Sequence, residues 1–162
     1  MPKALEMLAT DCLRGMIFGP SGFGKTWLYS LTAYVDAFLP IEIADFDGGT
    51  ITLKSSLKDL PPEKWDQIDI QPYPVDITDP GASYLKYIDR VKELKRKLTI
   101  GDPGPKLFVL DSLSLLIADI KNLVTHADHQ DVVKLDHYGP IMGHIERALQ
   151  FTMSLSCHKI VI

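Results

Sequence analysis

Hydrophobic and polar positions along this chain fall into two regimes, short apolar runs and longer stretches of helical period. The apolar runs are Leu13-Arg14-Gly15-Met16-Ile17-Phe18, Ile41-Glu42-Ile43-Ala44, Ile68-Asp69-Ile70, Leu107-Phe108-Val109-Leu110 and His158-Lys159-Ile160-Val161-Ile162. Each reads as a strand, the first and fourth as buried strands of a parallel sheet. Helical period predicts helices over residues 27–38, with the first turn near Lys25, and over 83–98, with Leu85, Ile88, Val91, Leu94 and Leu98 on the apolar face. Two more follow, one beginning at residue 113 and running into a polar segment that ends near 136. The other covers 138–156, where Ile141, Ile145, Leu149, Thr152 and Leu155 recur. Pro40 stops the first helix. Residues 50–66 read as a short strand or helix followed by a turn at Pro61-Pro62, and Pro72, Pro74 and Pro80 mark an irregular connection. Residues 1–11 are too short for an accessory domain and suit a helix or strand over one sheet edge. Strands alternating with helices predict a single α/β domain, a mostly parallel sheet with helices on both faces.

The most specific chemistry lies between the first strand and the first helix. Gly19-Pro20-Ser21-Gly22-Phe23-Gly24-Lys25-Thr26 fits the P-loop pattern G-x-x-x-x-G-K-[ST] at every fixed position, in the strand–loop–helix context that pattern requires. Gly19, Gly22 and Gly24 free the backbone so that successive N–H groups converge on one anion, and the helix N-terminus adds partial positive charge. Lys25 would reach the β- and γ-phosphates of a nucleotide, and the Thr26 hydroxyl would hold Mg²⁺. Trp27 and Phe23 flank the loop. Either would stack on a base, but aromatics packed beside the loop are the simpler expectation.

Acidic residues stand where two strands end. Leu107-Phe108-Val109-Leu110-Asp111-Ser112 has the form of a Walker B element, whose Asp111 would bind Mg²⁺ through its water shell. The second strand ends in Asp45-Phe46-Asp47-Gly48-Gly49, with Asp45 and Asp47 on one side and Phe46 on the other. Open α/β sheets bind ligands at the carboxyl ends of their strands. The site therefore needs the loop, Asp111, and one of Asp45 and Asp47. His126, His129 and His137 with Asp128 and Asp131 have no recognised zinc spacing, so the metal reading there is set aside. Lys92, Lys95, Arg96 and Lys97 read as a solvated helix face rather than a nucleic-acid patch.

Composition narrows the class. The 162 residues carry a net charge of −4 with 46% hydrophobic and 23% charged side chains, ordinary for a soluble domain and without a global basic footprint. Two distant cysteines, Cys12 and Cys157, are expected to be reduced and buried, which fits a cytosolic compartment. No apolar run is long enough to span a bilayer, and the first residues lack a signal-peptide core. An end at Ile162, inside an apolar strand, reads as a truncation.

GPSGFGKT, then DFDGG, then VLDS, followed by Tyr138-Gly139-Pro140 opening a long helix and a final apolar strand, resembles the RecA-like P-loop ATPases. The similarity is greatest to the short, single-domain bacteriophage members associated with single-strand annealing proteins, and it covers the chain from about Leu13 to Ile162. The resemblance implies ATP and Mg²⁺ as cofactors, and ATP-dependent action on single-stranded DNA in recombination, annealing or repair. It implies a homo-oligomer, a partner such as a single-strand-binding or annealing protein, and a location in the host cell cytoplasm. It assigns Lys25 to phosphate charge, Thr26 and Asp111 to Mg²⁺, and Asp47 to orienting the attacking water. The family more often has glutamate at this last position. Aspartate is shorter by one methylene, ~1.5 Å, which predicts slow turnover. The resemblance also sets the last strand between the P-loop strand and the Walker B strand, and the first DNA-contacting loop at about residues 121–137. Two other readings share the loop: a small-molecule kinase, disfavoured because Arg14, Arg90, Arg96 and Arg147 form no cluster, and a nucleotide-binding module that does not hydrolyse.

Overall fold

The computed structural model describes residues 12–127 and 132–162, except for the side chains of Thr50 and Ile51. Strands β1 (Arg14–Met16), β2 (Ile41–Asp45), β3 (Ile68–Pro72), β4 (Leu107–Asp111) and β5 (His158–Val161) form one sheet in the order β1-β5-β4-β2-β3. Every neighbouring pair is parallel. β5 lies between β1 and β4, the place expected for it. Helices α1 (Lys25–Ser30), α2 (Thr50–Ser56), α3 (Pro62–Trp65), α4 (Ala82–Thr99), α5 (Leu113–Ala127) and α6 (Tyr138–Met153) make the connections, so residues 50–66 resolve into two short helices.

Alternation along the strands divides the core in two. Ala44, Phe108, Leu110 and Val161 face one side, where Tyr84, Tyr87, Val91, Leu116, Ile120 and Ala148 of α4, α5 and α6 cover them. Ile41, Ile43, Leu107, Val109 and Ile160 face the other, against Tyr29, Ala33, Leu53 and Leu57. The central strands β2 and β4 are buried along their whole length.

Several expectations change. Among the described residues β1 pairs only with β5, at the edge of the sheet, and its burial is partial: Met16 is 57% exposed and Phe18, just beyond it, 88%; residues 1–11, expected over one sheet edge, lie outside the described residues. α1 stops at Ser30 and continues as 3₁₀ turns over Leu31–Tyr34 and Asp36–Phe38. The cause is local. Ser30 Oγ donates to the Trp27 carbonyl at 2.6 Å and Thr32 Oγ1 to that of Tyr29 at 2.7 Å, hydroxyl back-bonds that tighten the turn. On α4, Leu85 points out, and the buried stripe is Tyr84, Tyr87, Ile88, Val91 and Leu94. The tyrosines can go inside because each hydroxyl has a partner, His144 Nδ1 at 3.0 Å for Tyr84 and Thr152 Oγ1 for Tyr87. Cys157 is buried and Cys12 half-buried, both as free thiols, and burial pushes the Cys157 thiol up to about 11. No helix among the described residues is long and apolar enough to cross a membrane.

Two buried charges sit in one row of the sheet, since Lys159 on β5 registers with Phe108 and Phe108 with Glu42 on β2. Glu42 receives both arms of Arg90 from α4, at 2.8 Å each, and Arg90 also bonds Glu93 at 3.1 Å. Lys159 is 1% exposed, and its amine has no hydrogen-bond partner among the described residues. Opposite outcomes follow. Arg90→Ala strands a buried carboxylate and should lower unfolding free energy by about 3 kcal/mol in urea titrations. Lys159→Met removes an unpaired buried amine and should raise it, by about 1 kcal/mol.

Candidate functional site

The carboxyl ends of β1, β2, β4 and β5 converge on one cavity of about 730 Å³. Its wall is the loop 19–26, which leaves β1 and enters α1. Gly22 (φ 78°) and Gly24 (φ 76°) occupy the left-handed region, which glycine adopts without strain. Lys25 lies along the loop, its amine donating to the carbonyls of Gly19 at 3.0 Å and Pro20 at 2.9 Å. Thr26, one residue on, donates from Oγ1 to Asp111 Oδ2 at 3.1 Å. That bond joins the loop after β1 to the tip of β4, across the intervening β5.

Asp111 is 2% exposed, and the β2–β4 register sets it directly beside Asp45. Burial pushes the Asp111 carboxyl up to about 6, and the charges of Asp47 and Asp45 push the same way, while hydrogen bonding from Thr26 and Tyr29 opposes them. The Tyr29 phenol, buried beneath the loop, is raised well above its ordinary value by burial first and by the Asp111 charge second. The Asp111–Ser112 peptide is cis.

Of the residues expected at the site, Gly19, Ser21, Gly22, Gly24, Lys25, Thr26, Asp47 and Asp111 line the cavity. Pro20 does not, although its carbonyl accepts from Lys25. Phe23 and Trp27 are outside the lining and are not packed either, at 78% and 51% exposed. Of the acidic pair, Asp47 faces the cavity, whereas Asp45 lies beneath it, 6% exposed, with Gly48 N and Gly49 N donating to its Oδ1.

Thr52 and Ser114, which belong to none of the motifs, also line the cavity. Both lie in the first turn of a helix that starts just after a strand-end acidic residue, and that position was the available signal. The helix after the loop departs from expectation in one respect. A six-residue α1 sums few peptide dipoles, so its N-terminus brings less partial positive charge to the loop than a long helix would.

The donor set suits Mg²⁺. Thr26 and Asp111 offer hard oxygens 3.1 Å apart on the cavity wall, and Mg²⁺ takes one or two protein oxygens with substrate phosphates and water rather than a protein cage. Among the described residues no group of three or more His, Cys, Asp or Glu could hold a metal by itself. In the histidine-bearing segment, Asp128, His129 and Asp131 lie outside the described residues, while His137 is buried, its Nδ1 accepting from the Lys134 N–H at 3.1 Å. Lys92 and Lys97 pair on their own helix with Asp89 and Glu93.

No protein-family model matches the chain, and no curated protein matches it significantly.

The raised Asp111 carboxyl sets a pH dependence. An acid whose pKa is higher folded than unfolded favours the folded state while protonated, and that advantage is lost as pH rises through about 6. Asp111→Asn keeps an acceptor for Thr26 and removes the charge. It should be more stable than the parent at pH 8, by about 1–2 kcal/mol, with the difference closing toward pH 4 in thermal melts.

Proposed function

We propose that this chain binds ATP with Mg²⁺ at the loop 19–26 and hydrolyses it slowly, as a RecA-like protein acting on single-stranded DNA. The observation that carries the nucleotide part is the 3.1 Å bond between Thr26 and Asp111, which joins P-loop hydroxyl and strand-end carboxylate on the wall of one cavity. Lys25, now held by two loop carbonyls, exchanges them for phosphate oxygens, and the amides of 22–26 surround the same anion. Thr26 and Asp111 hold Mg²⁺, which when bound neutralises phosphate charge. Asp47, on the cavity wall, orients the attacking water. Positioning and charge stabilisation suffice for a loose phosphoryl transition state.

The DNA partner, a homo-oligomer and an annealing-protein partner rest on the motif order GPSGFGKT, DFDGG, VLDS and on the strand order that places β5 between β1 and β4. Among the described residues no arginine lines the cavity, which weighs against a small-molecule kinase.

Calorimetric titration with ATP and Mg²⁺ should give saturable binding that Lys25→Ala weakens by about ten- to a hundredfold. Unchanged affinity in that variant would sink the proposal. Hydrolysis should rise when single-stranded DNA is added. Binding without turnover would instead identify a nucleotide-binding module, and transfer to a small acceptor a kinase.

A further inference from the structure

Asp45 is buried, ionisable and two residues before the cavity-lining Asp47, yet the reaction outlined above gives it no part. It ends β2, and its Oδ1 accepts the amides of Gly48 at 2.9 Å and Gly49 at 3.2 Å. The turn it grips is the one that carries Asp47. On the other side of the chain Phe46 is fixed in an aromatic cluster, 5.1 Å from Tyr73 and 5.6 Å from Tyr87 between ring centroids. Gly48 takes a left-handed φ of 75°, so the chain reverses there and brings Gly49 back under the two carboxylates. Gly49 N–H is shared, donating to Asp47 Oδ1 at 2.8 Å as well as to Asp45.

These contacts leave Asp47 few orientations. Phe46 cannot rotate out of its cluster, the two amides hold the turn against the end of β2, and Asp47 is left facing the cavity. Gly49 tightens the fit. A Cβ there would lie 2.9 Å from Asp47 Oδ1, although the backbone at Gly49 (φ −63°) would accept alanine.

We propose that Asp45 is a positioning residue, which by holding the Gly48 and Gly49 amides aims Asp47 at the attacking water and acts on hydrolysis through Asp47 alone. The inference rests on the reading of Asp47 given above. It makes no use of the charge state of Asp45, only of an oxygen acceptor at that place.

The test combines turnover, calorimetric Mg·ATP affinity and melting temperature for Asp45→Ala, Asp45→Asn, Asp47→Ala and the Asp45→Ala/Asp47→Ala double variant. Asp45→Ala is expected to lose about ten- to a hundredfold in kcat, the scale of a misplaced reacting group, with Kd within about twofold of the parent. Asp45→Asn, which keeps the acceptor, should recover most of that loss. In the Asp47→Ala background the second substitution should remove nothing more, because the two act as one unit. Gly49→Ala displaces Asp47 with Asp45 intact and should lower kcat in the same way. It stands in for Asp45→Ala should that variant fail to fold. Parental kcat in Asp45→Ala with turnover lost in Asp47→Ala overturns the role of Asp45 and spares the reading of Asp47. So does a further loss in the double variant, or a Kd that weakens in step with kcat. Absence of turnover in the parent, or undiminished turnover in Asp47→Ala, overturns both.

Discussion

All five strands point the same way, and that constraint governs the molecule. Parallel strands bring every carboxyl end to one edge of the sheet, where the backbone must turn and polar groups collect. Here register goes further, because it sets Asp45 and Asp111 side by side on adjacent strands, with Asp47 two residues on. Three carboxylates in so small a volume repel, and two of them are buried. Nearby donors offset part of that repulsion: Thr26 for Asp111, and the amides of Gly48 and Gly49 for Asp45 and Asp47. What they leave over shows in the raised Asp111 carboxyl. The proposed Mg²⁺, held at Thr26 and Asp111, would be the counter-charge to what remains on Asp111.

The opposite end of the sheet carries its own buried charges, handled in contrasting ways. Glu42 is held by the planar fork of Arg90, two parallel hydrogen bonds that lock α4 onto β2. Lys159, in the same row of side chains, has no such partner among the described residues, and its burial beside Phe108 costs stability. Between the two charged ends, the two apolar faces of β2 and β4 supply the driving force for burial.

Much of this was legible in the sequence, for definable reasons. The octapeptide at the loop carries its meaning in residue identity, since two left-handed positions must be glycine and the lysine and threonine follow at fixed spacing. Leu107-Phe108-Val109-Leu110-Asp111 was equally plain, because a strand buried on both faces has no polar alternation to mask it. What failed was any inference that needed a partner. Tyr84 and Tyr87 were passed over in favour of Leu85 because hydropathy cannot see that His144 and Thr152 await their hydroxyls. The length of α1 was overestimated because Ser30 and Thr32 fit the helical pattern, while their back-bonds tighten it. β1 reads as a buried strand from its apolar run, but sheet order decides burial, and β1 lies at the edge of the described sheet. The different fates of Asp45 and Asp47 were invisible for a related reason: alternation puts both on one side, and only the turn at Gly48 separates the gripped carboxylate from the presented one.

The order β1-β5-β4 also dictates when the pocket can exist during synthesis. The loop follows β1 and Asp111 ends β4, but the two are neighbours only through His158–Val161 of β5, which is made after both. A nascent chain lacking those four residues holds the two halves of the pocket on separate pieces of sheet. The pocket therefore closes only once β5 has been made, and a ribosome stalled short of β5 presents an incomplete sheet.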